Sequence, residues 1–150
     1  MLDPEYAQAI LNQHARSPRH YGPLPIPPAA HVTQTNPICG DEVTVFLEPR
    51  AAGTLIQFTA QACGICTASA SLMCARLRGH TLEQARFAVV SFLAFLSGDL
   101  TETGELGDLQ ALAGVRAFPQ RIGCATLPWK ALMLALEEGV GAEEGVGVTG

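Results

Sequence analysis

Lysine is almost missing from this sequence. Lys130 is the single lysine among nine basic residues, and the others are arginines scattered along the chain. The 14 acidic residues outnumber them, which gives a net charge of −5 at pH 7. Phosphate backbones and anionic lipid surfaces are bound by clustered positive charge. The composition therefore argues against nucleic acid and against a membrane surface as partners.

A long apolar run is missing as well. The longest one, at 87–96, is interrupted by Ser91 and is far shorter than the roughly 20 residues that cross a bilayer. The polar opening at 1–5 lacks the basic and apolar segments of a secretory signal peptide. We therefore expect a cytoplasmic protein, whose thiols stay reduced.

What the chain does have is enough apolar material for one domain. Its 150 residues are 48% hydrophobic, which suffices for an ordinary core. We expect a single domain at 1–138 and a flexible, glycine-rich tail at 139–150. Because such a core needs neither disulfides nor a metal, the five cysteines need another explanation. An odd number at wide spacing favours a metal or catalytic use over a disulfide framework.

The order of turn residues and apolar periodicity predicts an α+β fold. Asp3 caps an N-terminal helix that ends before Pro18. Three strands follow as an antiparallel meander, at 31–35, 42–47 and 54–60. Helices are predicted after them, at 65–77, 81–96, 108–113 and 124–138. Strands followed by helices predict a small three-stranded sheet whose one face the helices cover.

Three cysteines lie where a predicted element begins. Cys39 sits in a Pro-x-Cys-Gly turn beside Asp41, although a chance cysteine in an ordinary turn fits equally well. Cys63 precedes one predicted helix and Cys124 begins another, and a helix N-terminus favours a thiolate. Zinc or an iron–sulfur cluster takes such ligands, whereas magnesium and calcium prefer oxygen. We therefore predict that these four residues form one metal or sulfur-handling site.

The other candidates have plainer explanations. Cys74 shares a predicted core face with leucines and behaves there as a small hydrophobe. Arg121 places a positive charge near Cys124, but an ordinary surface arginine explains it equally well. The histidines have no ligand-like spacing and are expected at the surface or on helix faces: His14, His20, His31 and His80.

The Cys63-x-x-Cys66 spacing offers an alternative function, a thiol–disulfide oxidoreductase. That motif needs a βαβ context, whereas a meander followed by helices is predicted here. It would also leave Cys39, Asp41 and Cys124 without a role. A structural zinc domain, in which the metal only supports the fold, is the other alternative.

Four short motifs stand in one order along the chain. They are Tyr6…Ile10…His14 with Pro18-Arg19-x-x-Gly22, then Asn-Pro-x-Cys39-Gly-Asp41, then Cys63-x-Ile65 with Ala68-Ser69-Ala70-Ser71, and Arg121-x-x-Cys124-Ala-Thr-Leu-Pro-Trp129. Together they resemble the U-type iron–sulfur cluster assembly proteins, the group of IscU, SufU and the N-terminal part of NifU. The resemblance implies an α+β scaffold in which the three cysteines and the aspartate gather at one exposed end. It also implies a cysteine desulfurase as sulfur donor, and downstream assembly or recipient proteins.

Within that family the chain looks closest to the SufU type. Cys63 and Cys124 are separated by 60 residues, as in members that carry an extra segment. Gly123 stands before the last cysteine, where IscU-like members have histidine and SufU-like ones usually lysine. Cys66 is the second departure, because the family generally has serine there. It can add a thiolate or a resolving thiol, or simply replace a serine hydroxyl.

The resemblance implies two mechanisms for the same four residues. In one, Cys39, Asp41, Cys63 and Cys124 hold zinc, and the protein is a zinc-dependent sulfurtransferase with Cys39 as sulfur acceptor and Arg121 as an assisting charge. In the other, they hold a transient iron–sulfur cluster on a non-enzymatic scaffold. A carboxylate is a harder ligand than a thiolate and suits a site that must release its cluster. The spacing and the missing histidine favour the zinc carrier.

Overall fold

A computed structural model of the chain describes residues 3–98 and 106–143. Its strands are β1 (Ala30–Asn36), β2 (Asp41–Glu48) and β3 (Leu55–Gln61). Its helices are α1 (Pro4–Arg16), α2 (Gly64–Leu77), α3 (Leu82–Ser97) and α4 (Pro119–Glu143), with a 3-10 helix, Gly107–Ala117, before α4. Across these described ranges, no helix combines the length and the apolar character that crossing a membrane requires.

The three strands form one antiparallel sheet in the order β1-β2-β3. The β1-β2 ladder ends at the pair Asn36 and Asp41, so the loop at 37–40 joins the two strands directly at one end of the sheet. Alternate residues of β2 are fully buried because α4 packs on that face of the strand: Val43, Val45 and Leu47. The predicted α+β meander is confirmed.

The start of the last helix is where the predicted boundaries are wrong. α4 begins at Pro119, so Cys124 is a residue of its second turn rather than its opening residue. Proline suits the first helical position because its missing N–H is not needed there and its φ is already helical. The helix continues to Glu143. It therefore includes the first residues of the predicted 139–150 tail, and 144–150 lie outside the described residues.

Trp129 joins α2, α3 and α4. Its indole is fully buried and stacks on Phe92 with the ring centroids 4.2 Å apart. Its Nε1 donates a hydrogen bond of 3.0 Å to the hydroxyl oxygen of Ser69, which donates in turn to the Ala125 carbonyl at 2.6 Å. Cys74 is fully buried in this core, as predicted, and burial raises the pKa of its thiol. The core is thus extensive, and it includes Cys66 and Cys124 as well as Cys74.

His14 links α1 to α2. Its ring is buried, and Nδ1 lies 2.6 Å from the hydroxyl oxygen of Ser71, which also accepts the backbone N–H of Arg19 at 2.8 Å. Burial, and then the positive charge of Arg19, lower the pKa of His14, while Asp108 opposes them. The imidazole is therefore neutral near pH 7, and its Nδ1 and the Ser71 hydroxyl form a hydrogen bond between two neutral groups.

We expect the metal-free domain to lose stability as the pH falls below about 6.5, the ordinary pKa of histidine. The unfolded chain takes up a proton at His14 near that pH, whereas the folded chain does so only at lower pH, so acid favours unfolding. The stability that neutral His14 contributes is fully present above the pKa of His14 in the unfolded chain. It is lost as the pH falls through the pKa of His14 in the folded chain. Urea unfolding across this range measures it. In His14→Gln, whose amide can still form a hydrogen bond with the Ser71 hydroxyl, the free energy of unfolding should depend less on pH. An unchanged pH dependence would show that His14 is not its source.

Candidate thiolate-rich metal centre

The loop at 37–40 holds Cys39 at the end of the sheet. Asn36 fixes this loop twice: its backbone carbonyl accepts the Gly40 N–H at 2.8 Å, and its Oδ1 accepts the Ile38 N–H at 3.1 Å. Gly40 has a φ of +74°, in the left-handed region that favours glycine. Cys39 itself is exposed. The tight turn predicted from the sequence therefore presents this thiol to solvent.

Asp41 ties the beginning of β2 to the beginning of α2. Its side chain is buried, with 3% of its surface exposed. One carboxylate oxygen accepts the backbone N–H of Cys63 at 2.9 Å, and the other lies 3.4 Å from the Cys63 sulfur. A buried carboxylate that is anchored on a helix N-terminus has a fixed direction and a favourable electrostatic environment. It is therefore well placed as a rigid oxygen ligand.

Cys63 is the N-cap residue of α2, as the sequence predicts. Its sulfur accepts the backbone N–H of Cys66 at 3.4 Å, and its side chain is exposed. Cys66 is buried behind it, and its pKa is raised to about 12 by burial first and by the negative charges of the neighbouring Asp41 and cysteines second. This placement favours Cys66 as a packing residue at the helix start.

Cys124 completes the cluster from α4. Its sulfur lies 3.3 Å from that of Cys39, although the two residues are 85 positions apart in the chain. Burial, together with hydrogen bonds to Cys39, Asp41 and Cys63, raises the pKa of the Cys124 thiol. Several groups that become anionic thus share one small space. A bound cation would remove this mutual repulsion, because it stabilises the ionised form of each ligand.

The geometry fits a soft cation. Ligand atoms of Cys39, Asp41 and Cys124 all lie within 4.8 Å of one another. Cys63 adjoins this group through its 3.4 Å contact with Asp41. Two sulfurs on a tetrahedral zinc, each about 2.3 Å from the metal, lie roughly 3.8 Å apart, so the thiols need only small movements. The structure brings Cys39, Asp41 and Cys124 into one group and places Cys63 beside Asp41 but outside that group; the role of all four as metal ligands stays a prediction.

Arg121 lies one helical turn before Cys124. Its guanidinium stands 4.9 Å from the ring centroid of Phe118, and both side chains are exposed. A cation over an aromatic face is held by the ring's negative electrostatic potential. The side chain therefore has a partner outside the thiol cluster, and its assisting role toward the sulfurs stays a prediction.

Sequence reasoning did not identify the side-chain amide of Asn36 as part of the site. Its Nδ2 lies 3.8 Å from the Cys39 sulfur, within the range for an N–H donor to sulfur. An asparagine two residues before a turn N–H is typical of an Asx turn, so the conformation of the loop can be predicted from the sequence. The second contact, between the amide and the thiol, depends on the three-dimensional path of that loop.

Comparison with known proteins points the same way as the motifs. A family model described as NifU-like N terminal domain matches residues 5–125. A Bacillus subtilis (strain 168) protein named zinc-dependent sulfurtransferase SufU is 37% identical over 148 residues, which cover 96% of this chain and 95% of that protein. A Streptococcus pyogenes serotype M1 protein named iron–sulfur cluster assembly scaffold protein IscU is 34% identical over 139 residues. The match covers 90% of this chain and 85% of that protein.

The fold is shared with solved structures as well. The crystal structure of the N-terminal part of a nitrogen-fixing NifU-like protein from Brucella abortus superposes with a TM-score of 0.76 at 26% identity. The match covers 91% of this chain and 96% of that one.

Proposed function

This chain belongs to the family of NifU-like N-terminal domains, and we propose from that premise that it is a sulfur carrier of iron–sulfur cluster assembly. Its donor is a cysteine desulfurase, and its acceptor atom is the sulfur of Cys39. A downstream assembly or recipient protein then takes the sulfur. The 37% identical relative named as a zinc-dependent sulfurtransferase supports this choice.

One observation carries the proposal: an exposed thiol is in contact with a buried one. Cys39 is accessible on its turn, while its sulfur lies 3.3 Å from that of Cys124, which is 5% exposed. A partner can therefore reach Cys39 without reaching Cys124. Cys63 is also exposed, but its sulfur caps α2 and contacts the Asp41 carboxylate at 3.4 Å, whereas Cys39 is carried by a turn.

Zinc fits the donor set, and Cys39, Asp41, Cys63 and Cys124 are the residues that would hold it. When bound, it would keep the thiols ionised near neutral pH. Asp41 serves this site as an anchored oxygen ligand, because the Cys63 N–H holds its carboxylate. Asn36 and Gly40 hold the turn that carries Cys39.

The transfer step is a thiol exchange. The Cys39 thiolate attacks the terminal sulfur of the desulfurase persulfide, and a new sulfur–sulfur bond forms on Cys39. The sulfur–sulfur bond of the donor breaks, and the donor cysteine leaves as a thiolate. No electrons are gained or lost overall, so the step needs no external oxidant or reductant.

Incubation with a cysteine desulfurase and cysteine tests this function. We expect the chain to gain one sulfur, about 32 Da by the chemistry of persulfide formation, and to raise desulfurase turnover. Cys39→Ser should lose both effects, because serine cannot form a persulfide. Cys74→Ser is the matched control, since Cys74 is buried in the core, and should retain both. Full stimulation by Cys39→Ser would contradict the proposal.

A cluster scaffold is the second candidate, and Asp41 is the observation that favours it. A buried carboxylate among thiols supplies a harder, more readily released ligand for a cluster that must be passed on. The 34% identical relative named as a scaffold agrees with this role. Anaerobic incubation with ferrous iron and sulfide tests it. A stable cluster absorption that Cys63→Ser abolishes would favour the scaffold over the carrier.

The oxidoreductase alternative is less well supported. Both strand pairs of the sheet are antiparallel, so within the described residues the Cys63-x-x-Cys66 segment does not connect parallel strands of a βαβ unit. The family match covers the segment in which Cys39, Asp41 and Cys63 occur. The alternative of a structural zinc domain is also less well supported, because the hydrophobic core around Trp129 is extensive without a metal.

A further inference from the structure

The side chain of Asn36 is oriented unambiguously by the loop. Its Oδ1 accepts the Ile38 N–H at 3.1 Å, which requires an oxygen at that position. The amide nitrogen, Nδ2, must therefore point the other way. There it lies 3.8 Å from the sulfur of Cys39, so an N–H dipole faces the thiol that the proposed function uses as sulfur acceptor.

Gly123 lies against the other side of this amide. A Cβ at position 123 would be 3.2 Å from Asn36 Nδ2, tighter than an ordinary van der Waals contact. Glycine inside a helix is less favourable than alanine, and Gly123 lies within α4, directly before Cys124. The missing side chain leaves room for the amide beside the two facing sulfurs.

We propose that Asn36 is a positioning residue for Cys39, and that Gly123 provides the space that its amide occupies. The inference rests on the proposed function of Cys39. The amide N–H directs the Cys39 sulfur toward Cys124 and stabilises negative charge on it. Hydrogen bonds to a ligating sulfur also reduce its electron donation to a metal. A Cβ at position 123 would lie 3.2 Å from the amide nitrogen and would require the amide to shift by a few tenths of an ångström, which weakens both effects.

Alkylation of Cys39 by iodoacetamide in the metal-free protein tests the contact directly. Asn36→Ser keeps an oxygen that can accept the Ile38 N–H, but its shorter side chain loses the donor to sulfur. We expect alkylation of Cys39, located by peptide mass spectrometry, to slow severalfold, because the loss of one hydrogen bond to a charged sulfur is partly offset by the higher intrinsic nucleophilicity of that sulfur. A loop that was merely loosened would expose Cys39 further and speed the reaction.

Gly123→Ala provides the second arm. Alanine favours the helix but makes a tight contact with the Asn36 amide, so we expect a small change in melting temperature and a slower alkylation of Cys39, by less than in Asn36→Ser. In the Asn36→Ser background the same change should have no further effect, because the amide is already gone. Gly114→Ala is the matched control, since a Cβ there meets nothing within 4 Å. Gln34→Ser is the control for the polar change on the same strand.

Cobalt(II), added alone as a spectroscopic probe, extends the test to the metal-bound state. Without the N–H donor, the thiolate-to-cobalt charge-transfer band of Asn36→Ser should move to longer wavelength, because the sulfur is a stronger electron donor. Equal alkylation rates in Asn36→Ser and the unaltered protein, or additive effects of the two substitutions, would overturn the inference. Failure of the unaltered protein to accept sulfur would instead overturn the proposed function, and alkylation would still decide the role of Asn36.

Discussion

Replacing Cys124 by serine is expected to weaken zinc binding by more than a hundredfold. Loss of a residue that only supports a ligand already costs about 10–100-fold in metal affinity, and Cys124 is a predicted ligand. Its sulfur lies 3.3 Å from that of Cys39, and its position inside α4 is rigid. A serine hydroxyl is a poor substitute for a thiolate at a soft metal. Competition with a chromophoric chelator measures the affinity.

Cys74→Ser is the matched control for this substitution. Both changes place a hydroxyl at a buried helical position, so both should lower stability. Only Cys124 belongs to the thiol cluster, and Cys74→Ser should therefore bind about one zinc per chain as the unaltered protein does. Full zinc retention by Cys124→Ser would remove this residue from the site. Loss of zinc in both variants would show that the metal responds to stability alone.

Trp129→Ala is expected to lower the free energy of unfolding by about 3–5 kcal/mol, the usual cost of removing a large buried aromatic side chain. The indole is fully buried, stacks on Phe92 at 4.2 Å and bonds to Ser69. Total stabilities of domains are about 5–15 kcal/mol, so this one change removes a large part. Urea unfolding of the metal-free protein measures the loss without a contribution from the site.

Two further variants separate the parts of this effect. Trp129→Phe keeps an aromatic ring beside Phe92 but loses the N–H donor to Ser69. The lost hydrogen bond should lower the free energy of unfolding by about 1 kcal/mol, and the smaller ring should lower it a little further. Leu134→Ala, on the same helix but 40% exposed, should cost less than Trp129→Ala. A loss below about 1 kcal/mol in Trp129→Ala would contradict the packing of α2, α3 and α4 around the indole.

Most of the fold could be predicted because its determinants are local. Asp3 accepts the backbone N–H groups of Glu5 and Tyr6 at the start of α1, and Thr81 forms a capping box with Gln84 at the start of α3. Such caps are readable from neighbouring residues. The signal for the start of α4 is local too, because Pro119 is a suitable first helical residue, but the predicted helix began at Cys124.

The site was predictable to the extent that residue type determines its chemistry. Thiols and a carboxylate in family order indicated one cluster, and the structure brings Cys39, Asp41 and Cys124 together. What could not be predicted is which atoms touch. The sulfurs of Cys39 and Cys124 meet because α4 packs against β1 and β2, a tertiary relationship that no local pattern encodes. The contact of Asn36 with both Cys39 and position 123 has the same origin.

The location of the transferred sulfur shows whether Cys39 is the acceptor. After a single turnover with desulfurase and cysteine, free thiols and persulfides are trapped by alkylation, and the peptides carrying Cys39, Cys63 with Cys66, and Cys124 are analysed by mass spectrometry. We expect the added sulfur, about 32 Da, chiefly on Cys39, the exposed thiol beside buried Cys124. Sulfur found on Cys63 or Cys66, and still transferred to the Cys39→Ser protein, would contradict it.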